Sequence, residues 1–394
     1  MIPVPASTFL FCESLCRERM EWLAGVIGAA GTGALSQDGG WSLKFFLTGD
    51  ALYSLADART RPVWVTLSRM PSLEVIVDAD ELRLHGLHGS ISPGAGEVRV
   101  SCPDGRFPFW GALVSTLENE WAGTRGAAFL LCYPPYMSRV PVYMLRFLSR
   151  AVDAGLNPEL YCYLDGVHVL HDGQCPSEFE NIGKGVSALS AQTVQSCRDP
   201  WFSACSRCAT ARGYYQPNPG TGFCEPASCI QEIEIRPLNK ILSRFSAFHP
   251  IVSHMAGWTV SPGCGGEGVP RLTVFITHTP YCSEWTFGGL SLAIAAAMEG
   301  IETTVIFIED GVCALHGTHE VPDGGRLFNV QEMIAATNDI PALSYFVHLP
   351  SARERGVSTA CSGVREITNE ALAGILFPRD ASNSKGPAMR VLFF

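Results

Sequence analysis

Two cysteines separated by two residues, Cys205 and Cys208, are the part of this 394-residue chain best suited to chemistry. A thiolate takes up sulfane sulfur, or attacks a disulfide, when it is accessible and its pKa is lowered. Cys205 follows the apolar segment 201–204 and precedes a short Ala-containing turn or helix. A helix start there would offer free backbone N–H groups to an anionic sulfur. Arg207 and Arg212 are close enough in sequence to add positive charge. Such chemistry requires no cofactor. Cys208 has two readings. It can close a disulfide with Cys205 and expel a bound sulfur as sulfide, or it can tune the site as a spectator beneath the loop. The spectator is the simpler.

The same pair opens a rival pattern. Cys205-x2-Cys208, fifteen residues, then Cys224-x4-Cys229 approximates a four-thiolate zinc site. Residues 214–226 are rich in Gly, Pro and Asn, as a zinc-ribbon loop is. Zinc would occupy Cys205 and leave a non-catalytic interaction or scaffold protein. The chain has fifteen cysteines, an odd number with irregular spacing. Disulfide frameworks belong to short secreted domains, so most of these thiols read as reduced. Cys132, Cys162 and Cys313 read as small buried hydrophobes.

The elements that must position Cys205 recur along the chain. Phe129-Leu130-Leu131-Cys132 precedes Pro135-Tyr136-Met137-Ser138, and Thr273-Val274-Phe275-Ile276-Thr277 precedes Pro280-Tyr281-Cys282-Ser283. Each apolar run predicts a buried strand and each Pro-Tyr-x-Ser the loop leaving it. Helices follow, the first ending at Gly155 and the second at Gly300. Second strands over 160–164 and 304–308 end in Asp165-Gly166-Val167 and Asp310-Gly311-Val312. From Tyr136 to Asp165 is 29 residues, and from Tyr281 to Asp310 is again 29. Third strands over 201–204 and 343–347 lead into Ala-x-x-Arg-Gly, at Ala209 to Gly213 and Ala352 to Gly356. This alternation predicts an α/β protein of tandem units, each a small, mainly parallel sheet with helices on both faces.

The first 120 residues suggest a divergent third copy. Residues 49–55 resemble the second strand, with Asp57-Ala58 where Asp-Gly stands elsewhere, 73–77 read as the third strand, and Leu84-His85-Gly86 as a degraded Arg-Gly element. The expected domains are 1–122, 123–245 and 270–394, with a linker over 246–269. Gly263 to Gly268 spells G-x-G-x-x-G, but it precedes a strand where a dinucleotide loop must follow one. Other candidates have simpler explanations. Asp165 is a supporting candidate that turn chemistry also explains, as it does Asp310, while Tyr136 and Tyr281 are candidates to line the thiol pocket, with loop packing the simpler reading. Cys282 is secondary, placed where open α/β sheets put their sites.

Composition narrows the partners. A net charge of −10 argues against a nucleic-acid backbone, and it suits a basic protein donor or acceptor. No apolar run reaches the roughly 18–20 residues a membrane span needs, and residues 1–16 lack signal-peptide order. A cytoplasmic location is expected. No phosphate-loop, Gly-x-Ser-x-Gly or His-Glu-x-x-His pattern supports a hydrolase.

Together, the Pro-Tyr loop, the Asp-Gly-Val turn and Cys-x-x-Cys-Ala-x-x-Arg-Gly resemble the DsrE/DsrF/DsrH (TusD/TusC/TusB) sulfur-relay family. The middle unit is similar to DsrE/TusD, whose active cysteine lies eight residues before the glycine of Arg-Gly, here Cys205. The last unit is similar to DsrF/TusC, with His348 at that position. The first is similar to DsrH/TusB through Gly49-Asp50-Ala51-Leu52 and Leu84-His85-Gly86-Leu87, and Cys16 stands near the start of its first helix. The resemblance implies a sulfurtransferase carrying a persulfide on Cys205. It implies a TusA-like donor or DsrC/TusE-like acceptor, and a homodimer equivalent to the family's heterohexamer.

Overall fold

The computed structural model describes residues 6–31, 42–91, 97–103, 109–121, 123–196, 198–246, 249–253, 257–260, 270–322, 327–358, 361–377 and 389–394. The glycine-rich stretch 263–268 lies outside them. The N-terminal copy runs β1 (Ala6–Phe11), α1 (Arg17–Gly31), β2 (Ser42–Leu47), α2 (Arg61–Leu67), β3 (Leu73–Val77) and α3 (Ala79–Leu84). The middle region has α4 (Phe109–Glu120), β4 (Gly126–Leu131), α5 (Val140–Asp153), β5 (Asn157–Cys162), α6 (Ile182–Gln195), β6 (Trp201–Cys205) and α7 (Ser206–Ala211). It continues through β7 (Tyr215–Pro217), β8 (Cys224–Pro226), β9 (Glu234–Arg236), α8 (Leu238–Ser243) and β10 (Ile251–Ser253). The rest contains β11 (Gly257–Val260), β12 (Arg271–Ile276), α9 (Trp285–Met298), β13 (Glu302–Phe307), α10 (Val330–Thr337) and β14 (Leu343–His348). It ends with α11 (Leu349–Glu354), β15 (Val364–Ile367), α12 (Asn369–Leu376) and β16 (Met389–Phe393).

The protein is α/β, with mainly parallel sheets flanked by helices. It packs as two compact units, Pro103–His254 and the combination of Met1–Cys102 with Met255–Phe394. The three-copy pattern is thus distributed over two bodies. In the first, the order is β10-β4-β5-β6-β9, all parallel. In the second, nine strands run β15-β14-β13-β12-β16-β11-β1-β2-β3, and β11 alone is antiparallel to its neighbours. The expected linker over 246–269 therefore contains two strands, β10 beside β4 and β11 between β1 and β16. Each is three or four residues long, too short for periodicity to reveal, and non-local pairing defines it.

Local sequence explains the recurring parts. β4 is buried along its whole length and β12 from Leu272 onward, as strands covered on both faces must be. Gly155 and Gly300 stop α5 and α9 in the left-handed conformation, at φ 85° and 80°. After each second strand comes a seven-residue 3-10 turn, at Gly49–Leu55, Leu164–Leu170 and Glu309–Leu315. This places Asp50-Ala51 where the other copies have Asp-Gly, which corrects the expected Asp57-Ala58. Residues 49–55 are accordingly turn, and the second strand is Ser42–Leu47. The glycines of the other two turns are pressed onto the first strand. A Cβ on Gly166 would stand 2.0 Å from the Leu131 carbonyl oxygen, and one on Gly311 1.9 Å from that of Ile276.

The nine-stranded unit buries one continuous core. Trp22 of α1 stacks on Phe275 of β12 at 5.6 Å, and Phe275 on Phe393 of β16 at 4.7 Å. Inside it lies an ion pair between Arg19 and Glu309, with side chains 9% and 8% exposed. Arg19 Nε and Nη2 donate to the two carboxylate oxygens at 2.8 and 2.6 Å, and Trp22 Nε1 donates to Oε1 at 2.8 Å. No helix among the described residues is long and apolar enough to cross a membrane.

Burial alone would raise the Glu309 pKa, yet the Arg19 charge and the hydrogen bonds from Arg19 and Trp22 hold it below its ordinary value. A carboxylate depressed in the folded state adds stability above its unfolded pKa of about 4.3, and that contribution fades as pH falls through the lower folded value. Arg19→Ala strands the charge and is expected to cost about 3–5 kcal/mol in urea denaturation at neutral pH. The gap between variant and wild type should narrow below about pH 4. A loss under about 1 kcal/mol would contradict the buried pair.

Candidate functional site

β6 is an interior strand whose ladder to β9 ends with Cys205 opposite Arg236. The chain then turns into α7, with Cys205 as its N-cap in extended conformation. The thiol thus stands at the C-terminal end of parallel strands, where open α/β sheets gather their sites. Cys208 is three residues on, one turn along the same helical face. Cys208 is the third residue of α7 and so faces the capping Cys205, and Cys208 and Arg207 both act on the Cys205 thiol.

These contacts oppose one another in an instructive way. The Cys208 side chain lowers the Cys205 pKa, burial raises it, and the Cys208 and Arg207 N–H groups and the Arg207 charge lower it again. The balance brings it from 9.0 to about 7. Cys208 moves the other way, raised by Cys205 and by burial. One sulfur is therefore poised as the thiolate and the other as the proton donor. The expected accessibility is not present. Cys205 is 1% exposed and Cys208 7%, because α7 packs against β6, β7, β9 and the 3-10 turn after β5. A cysteine at a loop edge reads as open in sequence, but non-local packing covers it.

Arg212 fixes this arrangement. It donates Nε and Nη2 to Asp165 Oδ1 at 2.8 and 2.6 Å, and Nη1 to the Cys208 carbonyl at 3.4 Å. Asp165 of the Asp-Gly turn thereby holds the helix that bears both thiols. The backbone of Leu164, at φ 49°, is close enough to Cys208 to act on its thiol. Tyr163 and Cys132 complete the surroundings. The Tyr163 hydroxyl is pushed up by burial first, then by the nearby sulfurs of Cys208, Cys205 and Cys132. Neither residue was singled out by motif; their one signal is their place just after β5 and β4. His168 and Tyr214 were also missed. They share a hydrogen bond at 3.0 Å, with His168 Nε2 3.9 Å from Asp165.

Other expected residues do not join the site. Tyr136 donates to Gln174 at 2.7 Å and accepts from the Ile182 N–H, so it serves the start of α6. Tyr281 likewise accepts from the Val330 N–H, before α10. Cys282 is exposed in the loop after β12. The four-thiolate zinc arrangement is not assembled. Cys224 is exposed on the β7–β8 hairpin, while Cys229 donates to the Tyr214 and Ala227 carbonyls. Among the described residues no three His, Cys, Asp or Glu side chains come together as metal ligands. A cavity of about 270 Å³ lined by Arg125, Asn157, Glu159 and Arg244 lies at the opposite end of β4 and β5.

The other copies retain the frame and replace the sulfur. Asp78, Cys205 and His348 each N-cap a six-residue helix, and each stands eight residues before a left-handed glycine, at Gly86, Gly213 and Gly356. Asp78 accepts from the Asp80 and Glu81 N–H groups and from Thr48. His348 is buried and satisfied, with Nδ1 2.9 Å from Ser351 and Nε2 2.9 Å from Asn369. Arg355 repeats the role of Arg212, donating to Asp310 at 2.9 Å, and also grips Glu18 of α1. Cys16 is raised by burial and then by Glu309, the reverse of activation.

No protein-family model and no curated protein matches the sequence. Among solved structures, the crystal structure of the ychN protein from E. coli is a weak neighbour. It has a TM-score of 0.25 and 24% identity, over 32% of this chain and 99% of that one. The chemistry of the site rests on the residues of this chain.

Under native conditions, alkylation should label the exposed Cys175, Cys224 and Cys282 well before Cys205. Peptide mass spectrometry over a time course checks this, and denaturant should abolish the difference. Labelling of Cys205 as fast as Cys224 in the native protein would contradict the packing around α7.

Proposed function

We propose that the protein is a sulfurtransferase that carries sulfane sulfur as a persulfide on Cys205. What supports this reading is the placement of Cys205 as the cap of α7 at the C-terminal end of β6, with Cys208 facing it and the thiol pKa brought down to about 7. The Cys205 thiolate attacks the sulfane sulfur of a donor persulfide, and the S–S bond of the donor breaks. The donor departs as a thiolate, leaving Cys205–S–S⁻. An acceptor thiolate then attacks the outer sulfur and restores the Cys205 thiolate. Each transfer exchanges one S–S bond for another, so no cofactor takes part.

Burial sets the conditions for exchange. The donor must displace part of the packing on α7, and local openings of that kind are cheaper than global unfolding. In the resting state, the same cover shields a low-pKa thiol from adventitious oxidation. The resemblance noted in the sequence extends the proposal to small carrier partners, a TusA-like donor or a DsrC/TusE-like acceptor. Against a net charge of −10, a basic partner surface would speed encounter. By the same resemblance we place the protein in the cytoplasm as a homodimer.

Incubation with a polysulfide or persulfide donor should add one sulfur to the peptide containing Cys205. Cys205→Ser should abolish the addition, while Arg212→Ala should slow loading by about tenfold or more, the effect of a misplaced reacting group. Retention of the added sulfur by Cys205→Ser would overturn the assignment.

A further inference from the structure

A persulfide on Cys205 would have a second thiol already against it. Cys205 is the cap of α7 and Cys208 its third residue, so the two side chains face each other across the first turn. Both are buried, and Arg212 pins the Cys208 carbonyl to the Asp165 turn. From the contact between these two side chains, we infer that Cys208 is a resolving thiol that discharges the Cys205 persulfide as hydrosulfide. This rests on the persulfide reading and names the fate of the sulfur when no protein acceptor is engaged.

The geometry selects which sulfur is attacked. At a helix start the third residue faces the cap, so Cys208 faces Cys205 Sγ, the inner sulfur of a persulfide, whereas relay to an acceptor requires attack on the outer one. Attack on the inner sulfur forms the Cys205–Cys208 disulfide and breaks the bond to the outer sulfur. The proton of Cys208 passes to the departing sulfur: Cys205–S–S⁻ and Cys208–SH become the disulfide and HS⁻. The sulfane sulfur gains two electrons, and the two cysteines supply them. Hydrosulfide is a better leaving group than an alkyl thiolate, because hydrogen sulfide is the stronger acid. A dithiol reductant must then reopen the disulfide, so the implied partner is a dithiol protein that reaches the pair when α7 opens locally. In the C-terminal copy His348 and Ser351 occupy the equivalent positions, and the chemistry is impossible there.

The test uses the full chain, loaded with a polysulfide donor in the absence of free thiols and then desalted. Hydrosulfide and the mass of the peptide spanning Cys205 and Cys208 are followed together. The expected result is about one hydrosulfide per persulfide, while the peptide changes from one extra sulfur to two fewer hydrogens. Cys208→Ser, with Cys208→Ala as a second variant, loaded at a pH where their Cys205 is ionised and compared with wild type per persulfide formed, should keep the extra sulfur and release at least tenfold less sulfide. Loaded wild type that holds its sulfur as long as the variants would overturn the inference and leave the carrier reading standing. Sulfide release without the disulfide would also overturn it. Failure of the wild type to load would remove both readings.

Discussion

The site depends on two buried cysteines facing each other across the first turn of α7. Burial of an ionisable thiol favours its neutral form, by up to several pKa units in an apolar setting. At Cys205 the Cys208 thiol and two N–H groups more than offset that penalty. The drop from 9.0 to about 7 corresponds to roughly 3 kcal/mol of preference for the thiolate. Loss of the Cys208 side chain removes the largest influence that lowers the Cys205 pKa, and it shifts the thiol toward the behaviour of Cys162, whose pKa burial drives above its usual value. The two cysteines thus differ in chemistry because they share one contact.

The same scaffold appears three times with different residues in the decisive position. Each copy presents an N-cap at the end of its third strand, a short helix and a left-handed glycine. The cap is Asp78, Cys205 or His348, and only the sulfur can act as a nucleophile toward sulfane sulfur. In the nine-stranded unit the corresponding ends are devoted to cohesion. Glu309 accepts from Arg19 and Trp22, Glu18 accepts from Arg355, and His348 is saturated by Ser351 and Asn369. The fold supplies a position, and the residue placed there decides whether chemistry follows.

Much of this arrangement was legible in the sequence because it is set by local rules. The register from Tyr136 to Asp165 and from Tyr281 to Asp310, the stops at Gly155 and Gly300, and the spacing from Cys205 to Gly213 all reflect short-range geometry. What escaped was non-local. β10 and β11 are strands through pairing with β4, β1 and β16, and no periodicity in three or four residues announces that. The union of the first and last copies in one sheet depends on the same pairings. Cys205 read as exposed for a related reason, since burial depends on what packs over a residue rather than on its neighbours in sequence. The apparent zinc pattern failed because Cys224 belongs to a hairpin whose strands carry it away from α7.

The most direct test of this account is an NMR titration of Cys205 labelled at Cβ, in wild type and in Cys208→Ala. The wild-type thiol should ionise with a midpoint near 7, and the variant should shift upward toward or beyond 9.0. A wild-type midpoint at 9.0 or above, or one unmoved by the loss of Cys208, would contradict the claim that the neighbouring sulfur holds the Cys205 thiolate.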